Sequence, residues 1–72
     1  MARLPVVSGA EAVRAFERLG YRRVRQQGSH VRMRCEGRAP ITVPDHDPVK
    51  RGLLRGLIRD AGFTVEEFVD KL

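Results

Sequence analysis

The sequence predicts an α+β fold, a three-stranded antiparallel sheet with helices packed on one of its faces. Three observations predict it. Two capping boxes, Ser8-Gly9-Ala10-Glu11 and Thr64-Val65-Glu66-Glu67, each mark a helix start. Apolar residues alternate in Val31, Met33 and Cys35 and again in Ile41 and Val43, which is strand spacing. From Val49 to Ala61 they return to helical spacing. The order is therefore helix, three strands, helix and a short C-terminal helix. Seventy-two residues make a single domain, 1–72, near the lower size limit for folding without staples.

The first helix runs from the Ser8 cap to about Leu19, with Ala12, Val13, Phe16 and Leu19 as its buried stripe. Gly20 stands where a left-handed C-cap belongs. Tyr21 to Gln26 reads as the first strand, with Val24 towards the core and Tyr21, Arg23 and Arg25 on the opposite side. Arg22 and Gln26 share the face of Val24. A hairpin turn around Gln27-Gly28-Ser29 follows. Keeping Val24 with the core requires Arg25 opposite His30 and Arg23 opposite Arg32, or a slip by two.

The second strand, His30 to Cys35, organises the rest. His30, Arg32 and Arg34 share one face, and Val31, Met33 and Cys35 share the other. An imidazole beside a row of fixed cations suits a polyanion. After the Glu36-Gly37-Arg38-Ala39 turn comes the third strand, Pro40 to Val43, with Ile41 and Val43 inward. Met33 then lies opposite either Val43 or Ile41, which sets His46 or Pro44 opposite His30; either register makes the two histidines neighbours. Asp47-Pro48 reads as a helix start, with an acidic cap and proline at the first position. That helix covers Pro48 to Ala61, with Val49, Leu53, Leu54, Leu57, Ile58 and Ala61 inward and Gly62 as its cap. Gly52 and Gly56 inside it suggest close backbone packing. Val65, Phe68, Val69 and Leu72 form the stripe of the last helix.

The net charge of +5 is uneven. Residues 21–59 carry +7 and residues 60–72 carry −3. A basic centre implies a phosphate-bearing or acidic partner, or else a solvated arginine-rich surface. No apolar run reaches the ~18 residues of a membrane span, and the N-terminus lacks the features of a signal peptide. The cytoplasm is the expected location. The single cysteine, Cys35, excludes an internal disulfide and a cysteine-based zinc site.

The ordered set of Gly20-Tyr21, Arg25-Gln26-x-Gly28-Ser29-His30, Val43-Pro44-x-His46, the glycine-containing helix from Gly52 to Gly62, and Glu66-Glu67-Phe68 to Leu72 resembles the HicA (YcfA-like) toxins of bacterial toxin–antitoxin pairs. The resemblance covers nearly the whole chain. It implies a double-stranded-RNA-binding-like fold, mRNA interferase activity, catalysis by the histidine of the Gly-Ser-His turn (His30), and a HicB-type antitoxin covering that site. The chain departs from the family at the second helix, where Pro48-Val49-Lys50-Arg51 replaces the usual lysine-rich start.

RNA cleavage without a metal needs a base for the 2′-hydroxyl, an acid for the leaving 5′-oxygen, and cations for the phosphorane. An imidazole, titrating at about 6.5 in isolation, suits such proton transfer, and arginine forks match phosphate oxygens. His30 is the expected acid–base group, with His46 as a second acid–base or positioning group. Arg23, Arg25, Ser29, Arg32, Arg34, Lys50 and Arg51 are the expected RNA contacts, and Gly28 serves the turn. His30 and His46 with Asp45 and Asp47 are the sole grouping that resembles a metal ligand set, so no metal and no small-molecule cofactor are expected. The alternatives are a non-catalytic module of the double-stranded-RNA-binding type, with its footprint of about 16 base pairs, and an interaction protein that docks an acidic partner. A DNA reader is disfavoured, because no helix-turn-helix spacing is evident.

Overall fold

The computed structural model describes residues 3–72. The elements are α1 (Gly9–Arg18), β1 (Arg22–Gln27), β2 (His30–Arg34), β3 (Ile41–Pro44), α2 (Arg51–Ala61) and α3 (Val65–Val69). The sheet order is β1-β2-β3 and both pairings are antiparallel. The helices cover one face, and the smallest dimension of the molecule, 17 Å, is that of one sheet layer and one helix layer.

Both capping boxes form. The Ser8 hydroxyl accepts from the Glu11 N–H while the Glu11 carboxylate accepts from the Ser8 N–H, and Thr64 and Glu67 repeat the arrangement. The backbone bond from Ser8, helped by its hydroxyl, holds the Glu11 carboxyl below its usual range. The core joins Val13 and Phe16 of α1, Val31, Met33, Ile41 and Val43 of the sheet, Leu54 and Ile58 of α2, and Phe68 of α3. The Phe16 ring meets Tyr21 edge-on at 5.8 Å and Phe68 at 5.0 Å. Leu4 and Val7, ahead of the first helix, are also buried.

The structure corrects the sequence reading of β1. Next to the hairpin loop the strand takes the slip-by-two alternative, with Arg25 opposite Arg32, but the ladder is irregular between Arg23 and Arg25, and Arg23 pairs with Met33. Val24 is the extra residue of a bulge and is 40% exposed rather than in the core. The bulge inverts side-chain direction between its two sides. Tyr21 therefore turns into the core, while Arg22 turns to the open face with Arg25 and Gln27. The Tyr21 hydroxyl donates to the Ala39 carbonyl at 2.6 Å, and burial pushes its pKa up.

The second helix also starts later than its Asp47-Pro48 signal suggests. Val49 is buried and its N–H donates to the Val7 carbonyl at 2.9 Å, so the chain stays extended there. The Asp47–Pro48 peptide is cis, and Lys50, without a side-chain hydrogen bond, takes the N-cap position. Gly62 (φ 86°) ends the helix as expected. Arg38 completes that end. Its guanidinium donates to the Ala61 carbonyl at 2.9 Å and stacks 3.9 Å from the centre of the Phe63 ring, so this arginine belongs to the fold.

Leu53 and Leu72, expected inside, are 48% and 43% exposed. Gly52 and Gly56 do not mediate close packing. A methyl group on Gly52 would meet open space, and one on Gly56 would only reach the Arg59 guanidinium at 3.9 Å. Gly52→Ala and Gly56→Ala should therefore each stabilise the protein by up to about 1 kcal/mol, through helix propensity alone. Chemical denaturation of the two variants measures this, and a loss of stability in either would reveal a backbone contact at that position.

Candidate functional site

The candidate site lies on the open face of the sheet, and strand register decides its membership. Gly28 and Ser29 form the loop between β1 and β2. Gly28 has φ 59° and Ser29 does not have positive φ, which suits a two-residue loop with glycine first. Gln27 therefore pairs with His30. On the other side of β2, His30 pairs with Pro44 and Arg32 with Thr42. This is the Met33–Ile41 alternative of the two registers open from sequence. Directly paired residues share a face.

Arg25, Gln27, His30, Arg32 and Thr42 line a shallow cleft of about 190 Å³. The Arg25 guanidinium donates to Gln27 Oε1 at 3.0 Å, and that of Arg32 donates to Thr42 Oγ1 at 3.0 Å. Both acceptors are neutral. They orient the cations without cancelling their charge. Among the described residues the ion pairs are Arg59–Asp60 and Lys71–Asp70, neither of them at the cleft. An exposed imidazole thus stands beside two oriented, uncompensated guanidinium groups. The arrangement can transfer a proton next to a bound phosphate.

The other expected residues separate. Arg34 shares the open face but lies further along β2. Arg23, paired with Met33, is on the helix side of the sheet at its edge. Ser29 is half-buried, and its carbonyl accepts from the Asp45 N–H at 2.6 Å, which ties the hairpin to the loop after β3. His46 does not line the cleft. Its carbonyl accepts from the Gly9 N–H at 2.7 Å, holding the loop against the start of α1. Lys50 and Arg51 sit exposed at the start of α2, outside the cleft.

Sequence reasoning missed Gln27, Thr42 and Arg22. Counting a two-residue Gly-Ser loop would have found Gln27, and choosing between the two β2–β3 registers would have found Thr42. Arg22 carried no signal, since the bulge alone turns it outward. Among the described residues, no three of His, Cys, Asp or Glu group to hold a metal ion, and no helix is long and apolar enough to cross a membrane.

Comparison with known proteins adds two findings. The family model for the HicA toxin of bacterial toxin–antitoxin systems matches residues 9–63. Among solved structures, a chain of a toxin–antitoxin complex from Streptococcus pneumoniae is similar, with a TM-score of 0.70 and 29% identity, over 79% of this chain and 98% of that one. No curated protein matches.

Proposed function

The chain belongs to the HicA toxin family of bacterial toxin–antitoxin systems, and from that membership we propose that it is a metal-independent endoribonuclease acting on mRNA. The observation that supports this reading is the exposed His30 imidazole in a cleft with Arg25 and Arg32. His30 takes the proton of the 2′-hydroxyl, and that oxygen attacks the adjacent phosphorus. The arginines stabilise the charge that grows on the phosphorane oxygens. The P–O5′ bond breaks, leaving a 2′,3′-cyclic phosphate and a 5′-hydroxyl. The open cleft lets water protonate the leaving oxygen, so His46 is not needed for that step. The partner is a HicB-type antitoxin protein that covers the cleft, and the place of action is the cytoplasm.

The test is single-stranded RNA incubated with antitoxin-free protein in the presence of a chelator. Fragments with cyclic phosphate ends are expected, and adding the antitoxin should stop their formation. RNA that is bound but left intact would favour the non-catalytic binding module instead.

A further inference from the structure

The ribonuclease reading places one phosphate beside His30, but the cationic face extends well past it. Three cross-strand rungs follow one another on the open face: Gln27 with His30, Arg25 with Arg32, and Arg22 with Arg34. Residues two apart on a strand are about 6.6 Å apart, close to the step between successive phosphates of an extended nucleic-acid strand. Two of the rungs place like charges directly opposite each other, which destabilises a sheet. The fold does not use the last pair. Among the described residues, the side chains of Arg22 and Arg34 are exposed and have neither a hydrogen bond nor an ion pair. Glu36 lies just beyond the end of β2 and pairs with neither of them.

We propose that this face is a track for consecutive phosphates of one RNA strand, and that Arg22 and Arg34 form a distal phosphate subsite two rungs from His30. The inference rests on the ribonuclease reading but assigns a separate site. The bulge at Val24 builds the subsite by turning Arg22 outward. The scissile phosphate lies between the His30 rung and the Arg25–Arg32 rung, within the cleft, and the next phosphate lies at Arg22 and Arg34. A strand bound there relieves the repulsion within both arginine pairs. Uptake of longer RNA is thus favoured over that of a dinucleotide.

The experiment is a salt series of binding titrations with a single-stranded 2′-O-methyl oligonucleotide, which cannot be cleaved. The wild type is compared with Arg22→Gln/Arg34→Gln. The variant should bind about tenfold more weakly, and its log–log salt slope should be shallower by about 0.7, the value for one lost phosphate contact on a single strand. Without RNA, it should melt at or above the wild-type temperature, because a repulsive pair has been removed. Equal affinity and slope in the two proteins overturn the subsite. If the wild type cleaves RNA while the variant binds identically, the track alone fails. If the slope changes but unmodified RNA is never cut, the track stands and the nuclease reading fails. A variant that melts well below the wild type also counts against the inference, because it would give the two arginines a structural role.

Discussion

His30→Ala is expected to lower RNA cleavage by about 10²–10⁴-fold, the usual worth of a positioned acid–base group, with little change in stability. The two effects separate because of where the imidazole stands. It is exposed at the start of β2 and has no hydrogen-bond partner among the described residues, so its removal leaves no cavity and no orphaned polar group. A surface substitution of that kind costs within about 0.5 kcal/mol. Induced expression provides the cellular readout. The intact chain should arrest growth as mRNA disappears, and cells making His30→Ala should grow. Matched melting curves and equal protein levels exclude misfolding as the cause. His46→Ala, outside the cleft, should cost far less. Full toxicity in His30→Ala would sink the assignment.

Gly9→Ala has the largest expected effect on stability. A methyl group at Gly9 would sit 2.4 Å from the Pro44 carbonyl oxygen and 2.6 Å from the Asp45 Cα. Both are backbone atoms, so no side chain can swing aside. The same close approach lets the Gly9 N–H reach the His46 carbonyl at 2.7 Å. Separating the two segments strains that bond and opens the packing behind it. Overpacking of this sort costs about 3 kcal/mol, a large share of the few kcal/mol that hold a domain of this size. The melting temperature should fall by roughly 12–24 °C. The damage also reaches the cleft, because Pro44 pairs with His30 and the Asp45 N–H bonds to the Ser29 carbonyl. The folded fraction should therefore cleave more slowly than the wild type. Thermal melts within a degree of the wild type would show that the approach is looser than described.

What the sequence disclosed was the local chemistry. Ser8 with Glu11 and Thr64 with Glu67 announce their helices because each capping box is complete within four residues. The shared face of His30, Arg32 and Arg34 follows from strict alternation. What stayed hidden depended on distant partners. Asp47-Pro48 has the form of a helix start, but Val49 is needed in the core and bonds to Val7, which no local pattern reveals. Val24 has the composition of a core residue, and its displacement reflects the competing demand to bury Tyr21. Gly52 and Gly56 suggest packing by their spacing, yet nothing stands above them. The cleft was thus half legible. Arg25, His30 and Arg32 could be named, whereas Gln27 and Thr42 depended on register.

The bulge at Val24 has a consequence for how this chain tolerates change. Its side chain is exposed, so its chemical identity carries little information and many residues should serve there. Its presence matters only through the bulge that absorbs it. Forcing Val24 into the regular ladder would have to expel the Tyr21 ring or turn Arg25 and Gln27 towards the helices. Deleting it would not, because the shortened strand alternates without interruption and keeps Tyr21 inward and Arg22, Arg25 and Gln27 on the open face. The hairpin should therefore tolerate the loss of this one residue, a change of length that a strand without a bulge could not absorb.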